Sequence, residues 1–127
     1  MKITSASHVS GTEREVRCPN GGFVSRRMLL ESDGLGYTIT HTTIPPGPVQ
    51  HWHYENHYES CYCIAGMGWI TDLATGEKHR IVPGVMYVLD NHDDHLFQAE
   101  TEVVLICVFN PPLKGREVHD ANGVYHG

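Results

Sequence analysis

Residues 50–66, QHWHYENHYESCYCIAG, bring His51, His53, Glu55, His57 and Glu59 together and then run straight into an apolar segment. Imidazole nitrogens and carboxylates at this density suit two kinds of chemistry: ligation of a borderline divalent ion, and proton exchange near neutral pH. The alternative is a solvated loop in which the same groups only face water. Farther along, IVPGVMYVLDNHDDHLF supplies Tyr87 and His95, and REVHD supplies Glu117 and His119. The four cysteines, Cys18, Cys61, Cys63 and Cys107, lack the paired C-x-x-C spacing of a structural zinc site. Cys61 and Cys63 are two apart in a strand-like run and so point to one face, and all four are expected to be reduced thiols.

Strands must position these groups. Apolar and β-branched runs are short, and Gly, Pro, Asn or Asp interrupts them at the intervals of an all-β barrel or sandwich. The expected strands are 26–31, 37–44, 58–64, 68–73, 78–82, 85–90, 95–100 and 103–110, and no stretch shows a sustained helical period. DLATGEKH reads as a hairpin turn with Gly76 at its tight position, while PPGP and NPP end their strands because proline cannot donate to a ladder. The polar stretch KGREVHDANGVYHG is expected to fold back over one end of the barrel. Period two puts His57, Glu59, Cys61 and Cys63 on one face and Tyr58, Tyr62 and Ile64 on the other. Thr38, Thr40 and Thr42 oppose Tyr37, Ile39 and His41 in the same way. Two readings are open here: the hydroxyls, thiols and carboxylate line a cavity, or the apolar face is the core and the polar face is solvated.

A length of 127 residues leaves room for one compact core, so a single domain over 1–127 is expected. The formal charge of −6 contains no block of like charges, which gives no footprint for nucleic acid or an anionic membrane surface. Ten histidines against nine lysines plus arginines is the compositional peculiarity, and it directs attention to imidazole chemistry. MKITSASHVSGTERE lacks the apolar core of a signal peptide and no apolar run reaches transmembrane length, so a cytoplasmic location is expected.

The stretch PPGPVQHWHYENHYESCYCIAG, with histidines at i and i+2 and then a glutamate, resembles the first motif of the cupins, where His, His and Glu converge on a divalent metal. The second cupin motif, a P-x-G turn followed by His, has its counterpart in IVPGVMYVLDNHDDHLF, with a tyrosine in place of the histidine and His95 beyond it. Together with SRRMLLESDGLGY, DLATGEKH and CVFNPPLKGREVHDANGVY, these segments are similar to the ectoine synthase family in an uninterrupted order over most of the chain. The resemblance implies a cupin barrel (a double-stranded β-helix, or jelly roll), Fe(II) or another divalent metal as cofactor, a small-molecule substrate and a homodimer. It also implies a dehydrative cyclisation: the α-amine of N-γ-acetyl-L-2,4-diaminobutyrate attacks its own acetamide carbonyl, and water leaves to give a cyclic amidine.

Carried onto this sequence, the family's metal ligands fall on Glu59, Tyr87 and His95. The residues implied to act on the substrate are Tyr54, His57, Glu117 and His119, and those implied to bind it are Phe23, Arg27, Thr40, Thr42, Cys107 and Phe109. Arg27 is the natural partner for a substrate carboxylate, because a guanidinium grips it through two charge-assisted hydrogen bonds. Glu117 and His119 would exchange protons if the tail closes over the cavity. A generic cupin reading would instead enlist His51 and His53 as ligands; the resemblance leaves them near the rim.

The chain departs from the family at three places. Phe23 stands where tryptophan is usual, Thr40 where histidine or another hydrogen-bonding residue is expected, and IAGMGWIT replaces a more acidic hairpin. These changes leave the ligands intact and bear on the substrate, which a divergent member would exchange for a related N-acyl diamine or run in reverse on a glutamine-like compound. Two other classes stay open: a cupin oxygenase or lyase that relies on His51 and His53, and a non-catalytic solute-binding barrel.

Overall fold

The computed structural model describes residues 1–118. After a one-turn helix, α1 (Ala6–Val9), come β1 (Glu15–Arg17), β2 (Val24–Arg27), β3 (Thr38–Ile44), β4 (Gln50–Trp52), β5 (Tyr58–Ala65), β6 (Gly68–Asp72), β7 (Lys78–Ile81), β8 (Met86–Leu89), β9 (His95–Ala99) and β10 (Val103–Asn110). They pair into two antiparallel sheets, β1-β2-β3-β10-β5-β8 and β4-β9-β6-β7. Both sheets contribute to one buried cluster, which includes Leu105 and Val103 from the larger sheet and Phe97, Ile70 and Ile81 from the smaller. This is the all-β cupin barrel expected from the sequence. No helix among the described residues is long and apolar enough to cross a membrane.

Turn chemistry sets the strand ends. Gly76 sits at φ 76° in the β6–β7 hairpin, and its N–H donates to the Asp72 carbonyl at 2.7 Å. Gly66, at φ 82°, closes the β5–β6 turn so tightly that an added Cβ would lie 1.9 Å from the Glu102 carbonyl oxygen. β3 stops before Pro45 and β10 before Pro111, as proline requires. The expected strand 26–31 is displaced toward the N-terminus. After Arg27 the chain leaves the ladder, and the Asp33 carboxylate accepts from the Leu30 N–H at 2.9 Å to start a 3₁₀ turn, Glu31–Asp33.

The choice between the two face readings falls on the cavity side. His57, Glu59, Cys61 and Cys63 are all buried, whereas Tyr58, Tyr62 and Ile64 are 50, 47 and 45% exposed. The interior therefore holds the thiols and the carboxylate, and the outer face of β5 holds the aromatic and branched residues. Register explains how distant sequence positions meet. Arg27 pairs with Thr40, Thr40 with Cys107, Cys107 with Cys61 and Cys61 with Tyr87, one cross-strand row over five strands. The next inward row runs Thr38, Phe109, Glu59 and Leu89.

The described part of the tail folds back over the end of β2 and β3. Leu113 is fully buried, its N–H donates to the Thr38 hydroxyl at 2.8 Å and its carbonyl accepts from Glu31 N–H at 2.8 Å.

Candidate active site

Glu59 lies on the inner face of β5, 4% exposed, between Phe109 on β10 and Leu89 on β8. Burial pushes its carboxyl up to about 7, although hydrogen bonds from the Cys61, Cys107 and Tyr54 side chains and the Arg27 charge pull the other way. Tyr87 is half-buried as a residue, but its hydroxyl end packs inside against Cys61, and burial, reinforced by Cys61, Glu59 and Cys107, drives its pKa well up.

His95 comes from β9 of the opposite sheet. Its Nδ1–H donates to the Asp93 carbonyl at 2.9 Å, and its Nε2 is buried with no hydrogen-bond partner. Burial lowers its pKa and keeps the ring neutral, against the opposing pull of Asp93 and Asp94. A neutral imidazole fixed through one nitrogen and presenting the other as a bare lone pair is how a metal-ligating histidine is held. His57, at the head of β5, repeats the pattern: Nδ1 faces the Pro111 carbonyl at 2.8 Å, and Nε2 is buried without a partner. Its ring stands edge-on to Phe109 with centroids 6.0 Å apart.

Of the sequence-derived residues, Glu59, Tyr87, Tyr54, Phe23, Thr42, Cys107 and Phe109 border one interior cavity. Thr40 joins them through the 2.8 Å contact between its hydroxyl and that of Thr42. Tyr87 also borders the adjoining cleft, whose walls include His95, Asp72, Asp90 and Asp93. Tyr87 thus stands between Glu59 and His95. Tyr54 makes a second link, since it hydrogen-bonds Glu59 and its ring lies 5.9 Å from that of His95.

Arg27 and Glu117 are engaged by the tail itself. Arg27 is fully buried, and its donors go to the tail: the Gly115 carbonyl at 2.8 Å, the Glu117 carbonyl at 2.5 Å and, at 3.7 Å, the Glu117 carboxylate. In this arrangement it anchors the tail. Burial opposes ionisation of Glu117, but the backbone N–H groups of Lys114, Gly115 and its own residue, with the Arg27 charge, outweigh it and hold the carboxyl below its ordinary value. A carboxylate so committed makes a brace, and the carboxyl poised near neutral pH is Glu59. His119 lies outside the described residues.

Strand parity disposes of the two rim histidines. Trp52 and Tyr54 point inward, 4 and 5% exposed, so His51 points out and pairs with Asp94 on the surface. His53, partly exposed, lies beside Glu55. Both thus lie on the side opposite Trp52 and Tyr54.

The residue that sequence reasoning missed is Cys61. Among the described residues, Glu59, Cys61 and Cys107 form a buried group whose ligand atoms all lie within 4.8 Å of one another. Cys107 is remote in sequence, and only the β5–β10 register brings the two thiols together. A surface groove beside α1 is lined in part by Lys2, Arg14 and Asp33, and there both cations pair with the Asp33 carboxylate.

The family model for ectoine synthase matches residues 1–127. The chain is 47% identical to the L-ectoine synthase of Wolinella succinogenes over 98% of its own length and 95% of that protein. The crystal structure of ectoine synthase from P. lautus superposes with a TM-score of 0.84 at 37% identity, covering 90% of this chain and 80% of that one. A cupin domain of a transcriptional regulator from Enterobacter cloacae, 14% identical with a TM-score of 0.59, shares the fold alone over 72% of this chain and 98% of that one. With the whole length matched and the barrel interior lined as described, the chain belongs to the ectoine synthase family.

Proposed function

We propose that this chain is a hydro-lyase that closes N-γ-acetyl-L-2,4-diaminobutyrate to ectoine with loss of water, using Fe(II) held by Glu59, Tyr87 and His95. The observation that carries the reading is the buried, unpartnered Nε2 of His95, aimed from β9 while Glu59 and Tyr87 approach from the other sheet. Two oxygen donors and one imidazole fit a borderline divalent ion. When bound, the metal supplies Lewis acidity to the amide carbonyl oxygen.

The remaining work belongs to the chain's own side chains. Phe23, Tyr54 and Phe109 wall the interior cavity, which continues past Tyr87 into the cleft beside His95, and holding the substrate's amine against its own carbonyl there is the positioning part of the catalysis. His57, its tautomer fixed by Pro111, offers Nε2 to take the proton that the attacking amine gives up. Thr40, Thr42 and Cys107 supply hydrogen-bonding groups along the inner row. Arg27 and Glu117 brace the described part of the tail, and His119 is the group assigned to return a proton to the departing water.

A second copy of the chain completes the assembly. β8 is an edge of the larger sheet, and Met86 and Val88 on it are 59 and 44% exposed beside Tyr58 and Tyr62. An unpaired strand edge with an apolar flank fits a second copy across a two-fold axis.

The function is tested by loading metal-free protein with Fe(II) under anaerobic conditions, adding the acetylated diamine and following the acetyl methyl by proton NMR. The expected result is conversion to a cyclic amidine methyl, abolished by chelator and in Glu59→Ala. An unchanged substrate signal with iron stoichiometrically bound would overturn the assigned substrate.

A further inference from the structure

The proposed reaction makes no use of Cys61. It lies on β5 opposite Cys107 on β10; the two Sγ atoms are 3.4 Å apart, and both residues are almost wholly buried. A Glu59 carboxylate oxygen lies within 4.8 Å of each sulfur. On the other side of Cys61, Tyr87 is its register partner and hydrogen-bonds the thiol. Three ligand atoms therefore converge from two neighbouring strands, and two of them are sulfur.

Sulfur changes which metal such a group selects. Thiolates favour soft or borderline ions such as zinc and cadmium, whereas a carboxylate, phenol and imidazole set suits iron(II). The spacing is right for a shared ion: zinc–sulfur bonds of about 2.3 Å at a tetrahedral angle hold two thiolates roughly 3.8 Å apart. The observed 3.4 Å separation needs only a small opening to reach that value.

We propose that Glu59, Cys61 and Cys107 form a second metal site, for a soft divalent cation such as zinc or cadmium. The ion displaces a proton from each thiol and binds two thiolates and the Glu59 carboxylate. The site itself stands on the thiol pair alone. Its further consequence rests on Glu59 serving the catalytic metal: capture of a soft ion and binding of Fe(II) exclude each other, so zinc blocks the enzyme by taking a ligand that iron needs.

Anaerobic titration of the metal-free protein with Cd(II) and Co(II) tests this by absorption spectroscopy. Wild type is expected to give the thiolate-to-metal charge-transfer band as the ion binds. In Cys61→Val the band is lost, whereas Fe(II), which keeps Glu59, Tyr87 and His95, still binds, weakened by no more than the roughly 10–100-fold that loss of a hydrogen-bonding partner of Glu59 and Tyr87 costs, and zinc affinity falls further than that. X-ray absorption at the zinc edge of the wild-type protein supplies a readout that needs no variant, with sulfur scatterers expected in the first shell. Bound ion without a charge-transfer band and without sulfur scatterers would overturn the site, as would an unchanged band in Cys61→Val. Simultaneous stoichiometric binding of zinc and Fe(II) would overturn the exclusion and leave the thiol site standing.

Discussion

Glu59 shows how a single residue in this interior trades stability for chemistry. Its carboxyl titrates from an ordinary 4.5 up to about 7 on folding, chiefly through burial. Below 4.5 it is protonated in both states and has no effect. Between 4.5 and about 7 the unfolded chain binds fewer protons than the folded one, so stability falls as pH rises, by up to about 3 kcal/mol in the metal-free protein. Glu59→Gln is therefore expected to raise the denaturation midpoint of the metal-free protein at pH 8 and to leave it nearly unchanged at pH 4. An equal effect at both pH values would contradict that. His57 belongs to the same scale: His57→Ala is expected to lower kcat by about 10²–10⁴-fold while iron content is kept. Much of this was legible in the sequence. Period two alone put His57, Glu59, Cys61 and Cys63 on one face. What it could not decide was whether that face was wet or buried, because the opposite face, with Tyr58, Tyr62 and Ile64, is the one a hydrophobicity rule would have put inside.

At the level of elements, the long strands β3, β5 and β10 were legible because alternation extends over seven or eight residues. β1 and β4, three residues each, carry too few alternations to register, and α1 is a single turn capped by Ser5. Register was out of reach from one sequence, and with it the Cys61–Cys107 contact and the use of Arg27. Nothing in SRRMLLE distinguishes an arginine that grips a substrate from one that donates to the tail's carbonyls. The tail depends on two buried polar anchors, Arg27 and Thr38. Thr38→Val leaves the buried Leu113 N–H without an acceptor and is expected to cost about 1–3 kcal/mol. Hydrogen exchange should localise the loss: the amide of Leu113 exchanges faster and those of β6 and β7 do not. Uniform acceleration across both sheets would contradict the tail's separate anchoring.

For the whole molecule, the larger sheet supplies a carboxylate and a phenol to the interior cavity and the smaller sheet an imidazole to the adjoining cleft, with Tyr87 bordering both. That division is why the candidate ligands are scattered along the sequence at Glu59, Tyr87 and His95. Among the described residues the same architecture leaves β8 at the edge of its sheet, and Met86→Glu with Val88→Glu is expected to convert a dimer into monomers in size-exclusion chromatography with light scattering. A dimer that persists would move the interface elsewhere. The claim on which everything else depends is that the inward face carries the metal and the outward histidines do not. Iron per chain after anaerobic loading measures it directly, in wild type, in Tyr87→Phe, in His95→Ala and in a His51→Ala, His53→Ala double variant. Full occupancy is expected in wild type and in the double variant, with sharp loss in His95→Ala and weakened binding in Tyr87→Phe. Iron retained in His95→Ala and lost from the double variant would contradict the account.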